Sequence, residues 1–309
     1  MEVTASKPVT GRFAPSPTGC LHSGSLVAAV GSYLMAKRAG GRWLLRLDDL
    51  DAPRQVAGMS DDIMRTLESF GLFWDGEVAR QSLNQEYYRQ AFELLQARNL
   101  LYPCSCSRKE IALAASAPHS DDDGPPYPGS CRTGMKAGGV VRSWRIKSPD
   151  GEVCFSDLRR GVICQDLTKV CGDFAIRRGA AEYLYQLAVV VDDGVAGVNQ
   201  VVRGDDLLSS TPRQVYLQRI LGLPQPDYCH LPLVTGPGGS KLSKRDHLVS
   251  HQLSSLKGRE GQLLLAVLRF LGQNPPPELY GSGCAELLEW GIAGFDAALI
   301  PAHGGSLPI

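Results

Sequence analysis

An α/β fold built around a parallel sheet is predicted by three observations along the 309-residue sequence. A short extended segment, a glycine-bearing turn, a helix and a second apolar strand succeed one another within residues 11–47, the opening of a nucleotide-binding α/β unit. Apolar runs return over residues 183–221 and restore that core. Between the two, residues 104–140 replace apolar periodicity with Cys, Pro, Gly and the run Asp121-Asp-Asp123, which reads as an inserted module.

Each element has a local reason. Residues 11–15 read as extended, Ser16-Pro-Thr-Gly19 supplies turn chemistry, and residues 21–39 form a helix stopped by Gly40-Gly41. Trp43-Leu-Leu-Arg-Leu47 reads as a buried strand, and helices are expected over 59–70 and 84–98, before Pro103 breaks the pattern. Beyond the insert, residues 183–191 and 198–202 are apolar runs bracketing a turn at Asp192-Asp193-Gly194, and 211–221 is helical. Short helices are expected over 263–271 and 285–290, ahead of a Gly- and Pro-rich tail. The expected division is therefore 1–100 for the first half of the core, 101–180 for the insert, 181–245 for the second half and 246–309 for a short helical C-terminal region.

Composition narrows the class. With 43% apolar residues the chain can bury an ordinary globular core, and no run approaches the roughly 18 apolar residues of a membrane span. The first ten residues lack the order of a signal peptide, so a cytoplasmic location is the expectation. Nine cysteines, an odd number without a secretory signal, favour reduced thiols or a metal site over a disulfide framework. Lys and Arg total 32 against 32 Asp and Glu, so any nucleic-acid contact must come from a local patch. Residues 246–309 hold three Lys or Arg against six Asp or Glu, too little positive charge for a dedicated RNA-binding domain.

Two segments have the chemistry of phosphate handling. In Arg12-Phe-Ala-Pro-Ser-Pro-Thr-Gly-Cys-Leu-His-Ser-Gly-Ser25, His22 and two glycines sit where a helix begins, so free N–H groups and the helix dipole face the turn. Gly24 would let an adenosine approach the backbone, and His22 can donate to a phosphate oxygen; His22 reads equally well as a capping or core histidine. Far downstream, Gly236-Pro-Gly-Gly-Ser-Lys-Leu-Ser-Lys-Arg245 places three cations within five residues behind a glycine-rich stretch. Lysines on a closing loop stabilise a pyrophosphate as its charge grows, although a solvated basic loop has the same composition.

Together the segments resemble the two signatures of class I aminoacyl-tRNA synthetases. His22-Ser-Gly-Ser25 is similar to the His-x-Gly-His element, with Ser25 in place of the second histidine. Lys241-Leu-Ser-Lys-Arg245 is similar to Lys-Met-Ser-Lys-Ser, with Arg245 in place of the last serine. The resemblance implies a Rossmann-type parallel sheet and makes His22, Ser25, Lys241 and Lys244 the catalytic candidates, with His22, Gly24, Ser25 and Lys244 at ATP and Mg2+ accompanying the nucleotide.

The octapeptide Arg12-Phe-Ala-Pro-Ser-Pro-Thr-Gly19 resembles the glutamyl and glutaminyl branch of that class. By this resemblance Arg12, Ala14 and Ser16 border the amino acid, and a guanidinium is suited to pair with a carboxylate in bidentate fashion. Arg46-Leu-Asp-Asp-Leu-Asp51 resembles the branch's Arg-x-Glu-Asp-x-Asp, which puts Asp48 at the substrate ammonium, one methylene shorter than usual. Asp49 and Asp51 read as turn or cap residues. Tyr185-Gln-Leu-Ala188 and Val202-Arg-Gly-Asp-Asp206 resemble later substrate-binding segments and add Tyr185 and Arg203. Tyr185 also reads as a core aromatic, and Arg203 as a partner of Asp205 or Asp206. Two arginines facing two carboxylates favour glutamate over glutamine.

Cys104-Ser-Cys106 followed by Tyr127-Pro-Gly-Ser-Cys131 offers three thiolates and a phenol, and tetrahedral Zn2+ takes four ligands. The resemblance places a Cys, Cys, Tyr, Cys zinc site in the insert; His119 competes for the fourth position, and free structural thiols are the alternative. Cys154, Cys164 and the other cysteines read as core or incidental. Only 64 residues follow Arg245, so no anticodon-binding domain is expected. The whole resembles short paralogues of the glutamyl enzymes. That implies activation of glutamate with ATP without tRNA, then transfer to queuosine at the anticodon wobble position of tRNA(Asp); a monomer is the expectation.

Overall fold

A computed structural model describes residues 7–107, 109–111, 126–180, 182–236, 253 and 258–307. The expected opening unit is present. Strand β1 (Thr10–Phe13) leads through helix α1 (Ser23–Arg38) to the parallel strand β2 (Arg42–Leu47), which pairs in turn with β3 (Ala79–Arg80). Helices α2 (Met59–Ser69) and α3 (Gln85–Ala97) occupy the positions predicted for them.

Helix α1 carries apolar residues all round, because it is covered on every side. Leu26, Ala29, Val30, Leu34 and Ala36 are all fully buried. Trp43 on β2 is buried too, with its indole Nε1–H donating to Ser32 Oγ at 2.9 Å. The C-terminal helices α7 (Glu260–Phe270) and α8 (Cys284–Gly294) complete this core. Gly291 permits the approach, since a Cβ there would stand 3.0 Å from the Leu34 side chain.

The second half of the core is α5 (Tyr185–Val195), β10 (Gln200–Gly204), α6 (Thr211–Leu221) and β11 (Asp227–Leu231), with β10 and β11 parallel. Its sheet meets the first where Thr10 N donates to Asn199 Oδ1 at 2.7 Å and Asn199 N donates to Thr10 O at 3.0 Å. Phe155, Val190, Val201, Leu217 and Tyr228 belong to a second buried cluster under this half.

The residues expected as one insert contribute to two sheets. Strands β4 (Leu101–Cys104), β5 (Ser143–Ile146), β8 (Ala175–Arg178) and β9 (Glu182–Tyr183) form an antiparallel sheet in that order. The hairpin β6 (Glu152–Asp157) and β7 (Gly161–Asp166) instead extends the core sheet, β6 meeting β11 at Asp157 and Tyr228. A short helix, α4 (Leu167–Val170), follows it.

The structure differs from the sequence expectation at two places. Asp192-Asp193-Gly194 is no turn: these residues lie inside α5, although two adjacent acids and a glycine disfavour helix interiors. Both carboxylates are buried and paired, and tertiary partners override that propensity. Cys154 and Cys164, expected as unpaired thiols, form a disulfide across β6 and β7 with Cα atoms 4.0 Å apart. They are direct cross-strand partners in the hairpin register, which cysteine counting does not reveal. Among the described residues, no helix is long and apolar enough to cross a membrane.

Candidate active site and cysteine centre

The floor of the candidate site is a buried ionic network. Arg12, at the end of β1, has its Nε 3.3 Å from Asp193 Oδ1, and Arg46 on β2 reaches the same oxygen through Nη1 at 2.6 Å. Arg46 Nε also donates to Asp48 Oδ1 at 2.7 Å. Asp192, one residue along α5, accepts from Tyr88 Oη at 2.7 Å, Gln81 Nε2 at 2.7 Å and Asn84 Nδ2 at 2.8 Å. Two guanidinium groups thus face three carboxylates away from water.

The carboxylates do not share this charge equally. Burial pushes Asp193 up, but Arg12 and Arg46 outweigh it and hold the group below its ordinary value. Burial dominates at Asp48, despite its contact with Arg46, and raises its pKa from 3.8 to about 6. Asp192 is also raised by burial, against Arg46 and its three neutral donors. Among the described residues the Asp48 carboxylate has hydrogen bonds from Arg46 alone, whereas Asp192 has three donor residues and Asp193 two, so Asp48 has the fewest partners and a cationic ligand would relieve it.

His22 resolves as the N-cap of α1, its Nδ1 accepting the Ser25 backbone N–H at 3.3 Å. An accepting Nδ1 leaves the neutral ring's proton on Nε2, the tautomer that donates to a phosphate. Gly24 has a second reason to be glycine, since a Cβ there would come 3.1 Å from the His22 ring. Ser16 is exposed and Ala14 half-buried on the loop leaving β1. Tyr185 opens α5 with 38% of its surface exposed, which excludes the core-aromatic reading.

Arg203 on β10 is buried, and its partners are not the neighbouring acids. Its Nε donates to His230 Nε2 at 3.2 Å and its Nη2 to Thr211 Oγ1 at 2.7 Å. Its buried Nη1 has no hydrogen-bond partner among the described residues. Asp205 pairs instead with Arg159 and Arg160. Asp51 stands at the start of the short helical turn Ala52–Arg54 and pairs with Arg54, the local role expected, whereas Asp49 accepts from Ser82 N and Oγ, a tertiary contact 33 residues away that a turn or cap reading does not foresee. Lys241 and Lys244, with Arg245, lie outside the described residues, as does His119.

At the edge of the antiparallel sheet, the sulfurs of Cys104, Cys106 and Cys131 lie within 4.8 Å of one another. The Tyr127 hydroxyl is 3.3 Å from Cys104 Sγ and 3.7 Å from Cys106 Sγ, and Cys106 Sγ lies 3.6 Å from Cys131 Sγ. Tyr127 is seated by Gly172, at φ +65°, where a Cβ would fall 2.1 Å from the Tyr127 carbonyl oxygen. Arg145, which sequence reasoning missed, donates from Nε to Cys104 Sγ at 3.4 Å and stacks 3.7 Å above the Tyr127 ring. At Cys131 the surrounding donors outweigh burial and bring the thiol to about 7, while burial takes Cys106 to about 11. These residues form a cluster compatible with a metal site.

The family model described as "tRNA synthetases class I (E and Q), catalytic domain" matches residues 8–277, so fold and site together define a class I synthetase catalytic domain. The chain is 56% identical to a glutamyl-Q tRNA(Asp) synthetase from Geobacter sulfurreducens, over 96% of this chain and 95% of that one. It is 50% identical to one from Dechloromonas aromatica, over 92% and 93% of the two chains. The crystal structure of a glutamate tRNA ligase from Elizabethkingia meningosepticum has the same fold (TM-score 0.81, 24% identity, 97% of this chain and 67% of that one). The chain belongs to the glutamyl-Q tRNA(Asp) synthetase family of class I enzymes.

Proposed function

We propose that the chain activates glutamate with ATP in the absence of tRNA and transfers it to queuosine at the wobble position of tRNA(Asp). The observation that carries this reading is the pairing of two unequal halves: an ionic floor with one under-satisfied carboxylate, and Arg203 with an unpartnered buried N–H. A zwitterionic amino acid answers both, its ammonium toward Asp48 and a carboxylate toward Arg203. Near-full-length likeness to named glutamyl-Q tRNA(Asp) synthetases supports the choice of acceptor.

In the proposed reaction the glutamate α-carboxylate attacks the α-phosphorus of ATP, forming glutamyl-adenylate and releasing pyrophosphate. A queuosine hydroxyl then attacks the activated carbonyl, loses its proton and expels AMP. Arg12, Ala14, Ser16, Asp48, Tyr185 and Arg203 border glutamate; His22, Gly24 and Ser25 receive ATP; Lys241 and Lys244 stabilise the departing pyrophosphate. No side-chain nucleophile is needed, because positioning and charge stabilisation suffice. Mg2+ would screen the phosphates of bound ATP.

The cysteine cluster fits zinc. Tetrahedral zinc with Zn–S bonds of about 2.3 Å separates its sulfurs by about 3.8 Å, and Cys106 and Cys131 already stand 3.6 Å apart. Cys104, Cys106, Tyr127 and Cys131 would hold the ion, whose contribution there is structural cross-linking.

Glutamate-dependent ATP–pyrophosphate exchange without tRNA, then labelled-glutamate transfer to tRNA(Asp) with and without queuosine, tests both steps. Exchange and queuosine-dependent labelling are expected. Equal labelling without queuosine would mark an enzyme that charges the tRNA 3′ end. Absence of exchange would mark a non-catalytic tRNA-binding module.

A further inference from the structure

His230 lies on β11, fully buried, with each ring nitrogen committed. Its Nδ1 is 2.7 Å from Asp157 Oδ2, and its backbone N–H donates to the same oxygen at 3.0 Å. The other oxygen of Asp157 accepts the backbone N–H groups of Arg159 and Arg160 at 3.0 and 2.9 Å. Asp157 is thus an acceptor clamped at the end of β6, and it places the ring proton on Nδ1. The Nε2 lone pair then accepts Arg203 Nε–H at 3.2 Å, with Thr211 Oγ1 also 2.9 Å away. A protonated ring would oppose an Nε2–H to the Arg203 Nε–H and set two cations side by side. Burial, with Arg203 adding to it, holds His230 below its ordinary pKa despite Asp157, in agreement with a neutral ring.

Arg203 can turn about its long side chain, and Nε and Nη2 fix the plane of its guanidinium. Both are held by groups that answer to His230 and Thr211, while buried Nη1 stays unpartnered among the described residues. We propose that His230, with its tautomer set by Asp157, is a positioning residue that orients Arg203 so that Nη1 meets a carboxylate of glutamate. The relay runs Asp157, His230, Arg203, substrate, across three neighbouring strands of one sheet. It rests on the reading of Arg203 as a glutamate ligand.

The two ring nitrogens can be tested apart. Asn matches the reach of Nδ1, so His230→Asn can still donate to Asp157 and leaves Arg203 Nε unpaired. Gln matches the reach of Nε2, so His230→Gln offers Arg203 an amide oxygen and gives up the Asp157 contact. In ATP–pyrophosphate exchange, His230→Asn is expected to raise the glutamate KM about tenfold or more, the scale of one lost hydrogen bond to a charged group, with the ATP KM unmoved. His230→Gln is expected to recover most of that loss. Thr211→Val, nearly isosteric, should raise the glutamate KM in the same selective way through Nη2.

Equal glutamate KM values for the Asn and Gln variants, or a parallel rise in the ATP KM, would overturn the proposal. So would an unchanged glutamate KM in Thr211→Val. Wild-type protein without glutamate-dependent exchange would instead defeat the underlying reading of the site.

Discussion

Asp48 is the residue whose cost to the fold and use to the ligand can be measured separately. Burial holds its carboxyl at about 6 in place of 3.8, against the attraction of Arg46. At about 1.4 kcal/mol per tenfold change in proton affinity, that difference corresponds to about 3 kcal/mol. Between about pH 4 and pH 6 the folded chain keeps a proton that the unfolded chain has released, so stability contributed by this group falls as pH rises across that window. Above it the folded protein carries the whole cost. Asp48→Asn keeps an oxygen for Arg46 Nε and removes the titration, so the variant should gain on the wild type by about 3 kcal/mol between pH 4 and pH 7.5.

Urea denaturation at the two pH values measures this as a shift in midpoint at constant m. Exchange activity should move the other way, because the variant offers glutamate's ammonium no negative charge. A variant that loses stability relative to wild type on going from pH 4 to 7.5 would refute the assignment of the raised carboxyl to Asp48. Full exchange activity would refute its role at the ammonium. If both hold, glutamate should bind more tightly as pH rises through about 6, since the ionised form is the one the ligand needs.

Arg46→Met should destabilise the fold by about 3–5 kcal/mol, measured by the same denaturation, because it strands Asp48 and Asp193 without their shared partner; a loss below about 1 kcal/mol would show the network to be dispensable. Gly24→Ala brings a Cβ to 3.1 Å from the His22 ring, and the resulting displacement should raise the ATP KM several-fold while the glutamate KM stays put. Metal analysis of purified protein should find close to one zinc per chain, falling to near zero in Cys131→Ala, and a wild-type chain without stoichiometric zinc would remove the ion from the cluster. Lys244→Ala should slow exchange strongly with glutamate affinity nearly intact, read as kcat against KM.

The parts of the fold that were legible in the sequence are those fixed by local periodicity and turn chemistry. Helix α1 with its Gly40 stop, the buried strand at Trp43 and the C-terminal helices all carry their signal within one short stretch of chain. Within the candidate site, the cysteine cluster was legible because Cys104, Cys106, Tyr127 and Cys131 are rare donor types at short spacing, and their atoms do converge. Arg145 was not, since an arginine on a strand has no spacing that announces a sulfur and an aromatic face 18 to 41 residues away. The hairpin register that joins Cys154 to Cys164 was invisible for the same reason.

Asp192 and Asp193 show why charge near the site was hardest to read. Adjacent acids followed by glycine carry the local signature of a turn, yet they stand on a buried helix because Arg12, Arg46, Gln81, Asn84 and Tyr88 converge on them from β1, β2, the segment leading into α3 and α3 itself. Resemblance directed Arg12 at glutamate; the structure sets its Nε against Asp193. The two statements are compatible on physical grounds. A cation that must meet an incoming carboxylate in a dry pocket has to be held there beforehand, and a buried counter-charge on the far side does so. Arg203 is held by the opposite device, neutral acceptors at His230 and Thr211, which fix its plane without cancelling its charge. On this argument Arg203 presents the stronger field to a carboxylate, and its neutralisation should weaken glutamate binding more than that of Arg12. Arg203→Gln and Arg12→Gln, compared by glutamate KM, decide the order, and a larger loss at Arg12 would reverse it.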